Sequence, residues 1–131
     1  MQNPPSYFFR DTGHYEPLLV VTDVNGCDDT AVVSIDIYHT PNGILTPDTF
    51  ICQGDTIQLF SDTALSSYTY MWSPAGVLSA INISNPLAFP IDTTDIFVEV
   101  EYNGCIRYDT ITLNVVPLPL LTLSPYPDTA I

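Results

Sequence analysis

The chain has 131 residues, of which 15 are acidic and only two, Arg10 and Arg107, are basic, so its formal net charge is −13. Nucleic-acid-binding proteins and polybasic membrane-surface proteins both need clustered lysine or arginine, and the composition therefore excludes both classes. A hydrophobic fraction of 46% argues against a disordered chain. No apolar stretch is long enough to span a bilayer, so we expect no insertion into a membrane.

Short strands joined by turns are predicted along the chain, starting with a hairpin turn at the Asn25-Gly26 dipeptide. Two strands are then predicted at residues 56–60 and 68–72, where apolar and polar residues alternate. The core residues predicted for these two strands are Ile57, Leu59, Tyr70 and Trp72.

Two longer strands are predicted at residues 96–102 and 110–116, because apolar and polar residues alternate there with a period of two. The residues expected to face inward are Ile96, Val98, Val100, Ile111, Leu113 and Val115. Between the two strands, the Asn103-Gly104 dipeptide predicts a type I′ turn, which requires positive φ at both positions. No segment has a helical period, so the predicted fold class is all-β.

An internal repeat of about 80 residues is the most informative feature of the sequence. Three landmarks occur twice: Asn25-Gly-Cys27 and Asn103-Gly-Cys105, Asp29-Thr30 and Asp109-Thr110, Pro47-Asp-Thr49 and Pro127-Asp-Thr129. The repeat predicts that residues 1–41 are the C-terminal half of one module, that 42–118 are a complete module, and that 119–131 are the first strand of a third. Because two strands alone cannot bury a core, we expect further chain to complete the outer modules.

The motifs of both repeats resemble those of known extracellular modules. Residues 13–27 resemble the closing strands of polycystic-kidney-disease-type (PKD-like) domains. Residues 42–118 resemble the immunoglobulin-like modules of very large bacterial surface proteins through Ile51-Cys-Gln-Gly-Asp-Thr56, Tyr70-Met-Trp-Ser-Pro74, Asn85-Pro86, Thr93-Thr94 and Asn103-Gly-Cys105. Such modules occur in tandem in adhesins and gliding-motility proteins exported by type IX secretion. The resemblance implies tandem β-sandwich modules outside the cell, at its surface.

Two functions are compatible with this resemblance. The first is a structural repeat of a cell-surface adhesin, stalk or filament, whose partners are neighbouring modules of the same polypeptide, surface glycans or other chains of a filament. The second is a carbohydrate-binding module of a secreted protein. We assign Trp72 and Tyr70 to the core, because a buried tryptophan on the third strand is common in sandwiches. Tyr68 and Phe60 are expected to point outward. The sequence has no nucleophile motif or phosphate loop, and we do not expect an enzyme.

Metal binding has one weak candidate. Asp23, Asp28 and Asp29 faintly resemble a calcium loop, but the later bidentate glutamate is missing, and a solvated hairpin tip is the preferred interpretation. Calcium between modules remains open, and no other cofactor is predicted. His14 and His39 have no cysteine or second histidine at metal-ligand spacing, so we interpret them as turn and linker residues.

Three cysteines, Cys27, Cys52 and Cys105, are expected to form disulfides outside the cell. In the implied immunoglobulin-like topology, Cys52 and Cys105 lie at opposite ends of the module. The preferred prediction is therefore a bridge between modules, joining Cys52 to the Asn-Gly-Cys cysteine of the next module. Cys27 and Cys105 would bind partners that precede residue 1. A bridge between Cys52 and Cys105 is the alternative.

Asp-Thr followed by Ala, Ile or Thr occurs six times, at Thr30, Thr56, Thr63, Thr93, Thr110 and Thr129. Threonine favours strands and aspartate favours turns, which accounts for the pattern structurally. The pattern also resembles the O-glycosylation motif of the bacteria whose surface proteins this chain resembles, and both interpretations are kept. Asn82-Ile-Ser84 is an N-glycosylation triplet, a signal with many false positives.

Overall fold

The structure, a computed structural model, describes residues 3–122 and confirms the all-β prediction. Its strands are Gly13–Tyr15 (β1), Leu18–Thr22 (β2), Asp28–Val32 (β3), Ile35–Ile37 (β4), Thr49–Cys52 (β5), Ile57–Gln58 (β6), Thr69–Ser73 (β7), Leu87–Ala88 (β8), Thr94–Tyr102 (β9) and Cys105–Val116 (β10). One 3-10 turn covers Ala75–Val77. Among residues 3–122, no helix has the length and apolarity needed to cross a membrane. The strand predicted at 119–131 falls largely on residues 123–131, outside the described range, as does Thr129.

Four strands form the largest sheet, in the order β5-β10-β9-β7. Strand β5 runs parallel to β10, and the other two pairs are antiparallel. The period-two alternation explains which side of this sheet is buried. Ile96, Val98, Val100, Ile111 and Leu113 are all at most 2% exposed.

The core joins this sheet to a second group of strands around β6 and β8. Strand β6 pairs with β8, and single bridges attach Ile44 to Ser61 and Leu78 to Ala88. The second group contributes the buried residues Leu59, Leu78 and Ala88. From the sheet, Trp72 is 1% exposed and its indole Nε1 donates to the Ile83 carbonyl at 2.8 Å. Tyr70 is half-buried and packs against this cluster.

Residues 13–37 form two smaller pairs of strands. Strand β1 pairs with β4, and β2 pairs with β3 as a hairpin, both antiparallel. Every residue of β2 and β3 is exposed. These strands therefore have no core of their own within the described residues.

The two hairpins of the repeat have different turns. Asn103 and Gly104 have φ values of 47° and 82°, which confirms the predicted positive φ at both positions. The hairpin predicted at Asn25-Gly26 forms, but Asn25 does not have positive φ and the turn is not of type I′. Its loop is longer: Gly26 N–H donates to the Asp23 carbonyl at 3.1 Å, and Asp23 N–H donates to the Cys27 carbonyl at 2.9 Å. Gly26 alone takes the left-handed conformation, as in a type I turn followed by a bulge.

Tyr68 lies in the core, contrary to the expectation that it points outward. Its side chain is only 6% exposed. Tyr68 directly precedes β7. It lies two positions before Tyr70 and four before Trp72, so all three side chains are on the same side of the strand. Phe60 does lie outward, with 51% of its surface exposed.

Candidate functional surfaces

The linker between the two repeats, residues 38–45, is fastened to the strands that follow it. The Asp62 carboxylate, 6% exposed as a residue, accepts hydrogen bonds from Asn42 N–H at 2.9 Å and Asn42 Nδ2 at 3.1 Å. It also accepts from Ala64 N–H at 2.9 Å. Burial opposes ionisation of Asp62, but the N–H groups of Asn42 and Ala64 outweigh it, and the pKa of Asp62 lies below its ordinary value.

A second carboxylate holds the next residues of the linker. Asp109 Oδ2 accepts a hydrogen bond from Ile44 N–H at 2.9 Å, across 65 residues of chain. Gly43 is buried against this carboxylate, and a Cβ at Gly43 would collide with it. The Gly43 carbonyl in turn accepts from the Ser61 hydroxyl at 3.0 Å. The peptide group between Gly43 and Ile44 is thus bound at its N–H by Asp109 and at its carbonyl by Ser61.

Three tyrosines lie beside the start of the linker. Tyr38 and Tyr102 make an edge-to-face contact with ring centroids 5.9 Å apart, and Tyr68 and Tyr102 make a similar one at 5.5 Å. The Tyr68 hydroxyl lies 3.4 Å from Nδ1 of His39, which is a linker residue. Burial, followed by the charge of Asp62, raises the pKa of Tyr68. The aromatic contacts add packing to the carboxylate contacts of the same segment.

The strand pairs of the two hairpins correspond when their Asp-Thr pairs are matched. In the first hairpin Leu19 pairs with Ala31 and Val21 pairs with Asp29. In the second, Ile96 pairs with Ile111 and Val98 pairs with Asp109, at the positions that align when Asp29-Thr30 is matched to Asp109-Thr110. Asp29 Oδ1 accepts from Thr30 N–H at 2.9 Å, and Asp109 Oδ1 accepts from Thr110 N–H at the same distance. The Asp-Thr pair therefore has one local geometry in both hairpins.

The outer face of the four-stranded sheet, turned away from the core, carries exposed apolar side chains around one carboxylate. Glu99 lies between Met71 of β7 and Tyr108 of β10. One row further along, Phe97 lies between Ser73 and Thr110. Met71, Phe97 and Tyr108 are 63%, 49% and 68% exposed.

The calcium candidates are not brought together. The Asp23 carboxylate Oδ1 accepts from Asn25 N–H at 2.7 Å and Cys27 N–H at 2.8 Å. The N–H of Cys27 makes the largest contribution, followed by that of Asn25, and both lower the pKa of Asp23. The Asp23 carboxylate therefore stabilises the turn. Asp28 and Asp29 are consecutive in β3, so their side chains lie on opposite faces. Among residues 3–122, no group of three or more potential ligands is placed to hold a metal ion.

No two of the three cysteines are bonded to each other in the described structure. Cys27 and Cys52 are exposed and Cys105 is half-buried. Cys52 lies opposite Val116, whereas Cys105 begins the same strand β10. Eleven residues of strand separate these positions by a distance on the order of 35 Å. A direct bridge between Cys52 and Cys105 is not compatible with this register, because disulfide partners need Cα atoms within about 7 Å.

The five described threonines of the Asp-Thr motif are all exposed: Thr30, Thr56, Thr63, Thr93 and Thr110. The Thr93 hydroxyl accepts from Val115 N–H at 3.1 Å. Thr56 directly precedes β6, whereas Thr110 lies in the middle of β10 and does not begin it. Asn82, of the N-glycosylation triplet, is also exposed.

His14 has a carboxylate environment that the sequence analysis did not anticipate. It lies in β1 opposite Asp36 of β4, with Nδ1 2.6 Å from Asp36 Oδ1. Nε2 lies 3.6 Å from Glu16 Oε1. The hydrogen bond to Asp36, followed by that to Glu16, raises the pKa of His14 above its ordinary value.

The linker contacts were missed by sequence reasoning. Asp62 and Asp109 both belong to Asp-Thr motifs, in which the sequence analysis assigned a role to the threonines and none to the aspartates. For Asp109 the available signal was the recurrence of Asp-Thr 80 residues apart, at Asp29-Thr30 and Asp109-Thr110. In comparisons with known proteins, no family model and no curated protein matches the chain.

Proposed function

We propose that the chain is a structural segment of an extracellular repeat protein, built from immunoglobulin-like or PKD-like β-sandwich modules in tandem. The modules form a stalk or filament at the cell surface. The observation that carries the proposal is that the segment joining the two repeats is held against the second one, Tyr38 by Tyr102, Asn42 by Asp62 and Ile44 by Asp109. A stalk needs defined angles between modules, and a linker with three hydrogen bonds to two carboxylates loses the freedom of an ordinary connecting loop.

The charge distribution supports the same function. The net charge is −13, and among residues 3–122 the only ion pairs are those of His14 with Glu16 and Asp36. Most carboxylates of the described surface are therefore unpaired with cations. Self-repulsion of this kind keeps a long protein soluble and discourages lateral association.

Localisation on intact cells tests the proposal. An antibody raised against residues 42–118 should label unpermeabilised cells of the producing organism, and proteinase K added outside should abolish the label. An antibody against a cytoplasmic protein of the same cells is the control. Labelling that requires permeabilisation would contradict the proposal.

Disulfides between modules fit this arrangement. Cys27 and Cys105 lie at corresponding ends of their hairpins, and Cys52 lies at the far end of the sheet from Cys105. We expect Cys52 of one module to bind the Asn-Gly-Cys cysteine of the next. Non-reducing peptide mapping of the native protein should find this pair, and free thiols at all three positions would contradict it.

O-linked glycans fit a cell-surface location. Thr56 and Thr110 are exposed, and neither hydroxyl makes a hydrogen bond within the described structure, whereas that of Thr93 does. We expect glycans on at least one of these two threonines. Mass spectrometry of native peptides should find added hexose mass there, and unmodified mass at every Asp-Thr threonine would reject the expectation.

A second candidate function is carbohydrate binding on the outer face of the sheet. Exposed Phe97 and Tyr108 offer flat apolar rings, and Glu99 between β7 and β10 offers an acceptor for sugar hydroxyls. In a glycan-array experiment, Tyr108→Ala and Phe97→Ala should abolish binding. Phe60→Ala, which removes an exposed ring elsewhere, should preserve it. Absence of binding by the unaltered chain would reject this function.

A further inference from the structure

The β2–β3 hairpin has an apolar face that stays largely exposed, although Asn3, Pro4 and Pro5 border β2. Leu19, Val21 and Val33 are 51%, 58% and 58% exposed, and Ala31 beside them is exposed too. An isolated two-stranded hairpin is marginally stable in water. The β9–β10 hairpin of the second repeat, one face of which is buried, therefore shows how such a hairpin is covered.

The second repeat shows which of the two hairpin faces belongs in a core. Matching Asp29-Thr30 to Asp109-Thr110 places Leu19 and Val21 at the positions of Ile96 and Val98. It likewise places Ala31 and Val33 at the positions of Ile111 and Leu113. Those four counterparts are at most 2% exposed. The adjacent Val20 corresponds to Phe97, which lies on the exposed outer face.

Residues 42–89 cover these counterparts in the second repeat. This segment contributes Leu59, Trp72, Leu78 and Ala88 to the same buried cluster. It also adds strands at both edges, with β5 beside β10 and β7 beside β9. Its first residues donate a backbone N–H from Ile44 to Asp109 Oδ2.

We propose that the face formed by Leu19, Val21, Ala31 and Val33 is a docking surface for a segment of the same repeat type as residues 42–89. The inference rests on the proposed tandem arrangement and deepens it by naming the face and the occupant. The occupant places one strand along β3 and another along β2. Leucine, tryptophan and alanine side chains like those of 42–89 cover the apolar face.

Asp29 fixes the position of the incoming segment. Its Oδ1 accepts from Thr30 N–H, whereas within residues 3–122 its Oδ2 accepts no hydrogen bond. The corresponding oxygen of Asp109 holds the N–H of Ile44. Asp29 Oδ2 therefore receives the backbone N–H of the residue equivalent to Ile44 in the occupant.

A graft tests the proposal on the full chain. A second copy of residues 42–89 is inserted between Thr12 and Gly13, where the repeat alignment places such a segment. Hydrogen exchange by mass spectrometry or NMR then reports on the amides of β2 and β3. We expect their exchange to slow at least about 100-fold relative to the unaltered chain, because they become part of a packed sheet.

Two neighbouring valines provide the matched variants. In the grafted chain, Val21→Asp should remove most of the protection, whereas Val20→Asp on the other face should retain it. Asp29→Asn should reduce the protection about tenfold, the effect of losing one hydrogen bond to a carboxylate. Protection of β9 and β10 in every variant shows that residues 42–118 remain folded.

Three results would overturn the inference: unchanged exchange of the hairpin in the grafted chain, equal effects of Val20→Asp and Val21→Asp, or concentration-dependent protection in the unaltered chain with sedimentation as a dimer. The last result would assign the face to a second copy. None of these measurements depends on where the protein resides, so the surface-labelling experiment can succeed while this inference fails.

Discussion

At the scale of single residues, the aspartates of the Asp-Thr motif organise the backbone around them. Asp29 and Asp109 each accept the N–H of the following threonine, and Asp62 accepts that of Ala64 two residues on. Short carboxylates make such local bonds readily, which explains their frequency at turns and strand junctions. Asp62 and Asp109 also accept hydrogen bonds from the linker, at Asn42 and Ile44. The same carboxylates therefore make both local and long-range hydrogen bonds.

Removing the Asp62 carboxylate should destabilise the protein. Asp62→Ala leaves the N–H groups of Asn42 and Ala64 without their acceptor, and we expect a loss of about 1–3 kcal/mol in the free energy of unfolding. Urea unfolding followed by Trp72 fluorescence measures this. Asp55→Ala is the control, because Asp55 is exposed and its carboxylate accepts no hydrogen bond within the described structure. Equal stability of the two variants would contradict the role of Asp62.

The same contact predicts a pH dependence. The pKa of Asp62 is lower in the folded protein than in the unfolded chain, so its contribution to stability is present above the unfolded pKa of about 3.9. That contribution is lost as the pH falls through the folded pKa. The difference in stability between the unaltered chain and Asp62→Ala should therefore shrink below about pH 4.

Gly43 should tolerate no side chain. A Cβ there meets the Asp109 carboxylate that holds Ile44, so Gly43→Ala must displace the linker or the carboxylate. We expect a loss of about 1–3 kcal/mol in the free energy of unfolding, measured by thermal denaturation. Gly76→Ala is the matched control, because a Cβ at Gly76 meets no atom within 4 Å. A neutral Gly43→Ala would contradict the described packing.

At the scale of strands and turns, the repeat preserves register while the turns differ. Strand β9 ends at a two-residue turn, whereas β2 ends at a loop that Asp23 closes through Asn25 and Cys27. The pairing of Leu19 with Ala31 and of Ile96 with Ile111 is nevertheless equivalent. Seven residues lie between Val21 and Asp29 and ten between Val98 and Asp109, and hairpin ends accept such length differences at little cost.

The β9–β10 turn should depend on its glycine. Gly104 has a φ of 82°, and Gly104→Ala should reduce the free energy of unfolding by about 1–2 kcal/mol because a Cβ is strained there. Asn103→Gly should change it far less, since a type I′ turn accepts glycine at both positions. Urea unfolding of the two variants measures the difference, and an equal response would mean that positive φ is not the constraint.

Sequence alone predicted the elements whose pattern is local. Strands β9 and β10, their fully buried residues and the Asn103-Gly104 turn follow from a period of two and from turn chemistry. The strands begin at Thr94 and Cys105, earlier than predicted, and Val115 is only half-buried. Tyr68 was predicted to point outward, but side chains two residues apart in a strand lie on the same face. Tyr70 and Trp72, which were assigned to the core, therefore place Tyr68 in the core as well. The contact between Asp109 and Ile44 joins residues 65 apart, and no local pattern encodes such a contact.

At the scale of the whole molecule, one segment joins the strands of residues 13–37 to those of residues 49–116. Residues 38–45 lie between β4 and β5 and contact Asp62, Asp109 and Tyr102. If this segment holds its two neighbours at a fixed angle, the repeat can extend as a rod. A loosely tethered pair of modules would instead behave as beads on a flexible string.

Rotational diffusion, measured by backbone ¹⁵N relaxation, tests this claim most directly. We expect one overall correlation time for the amides of β1 and β4 and for those of β9 and β10. In Asp62→Ala, the β1 and β4 amides should acquire a shorter correlation time as the linker is released. Independent, faster tumbling of β1 and β4 already in the unaltered chain would contradict the account.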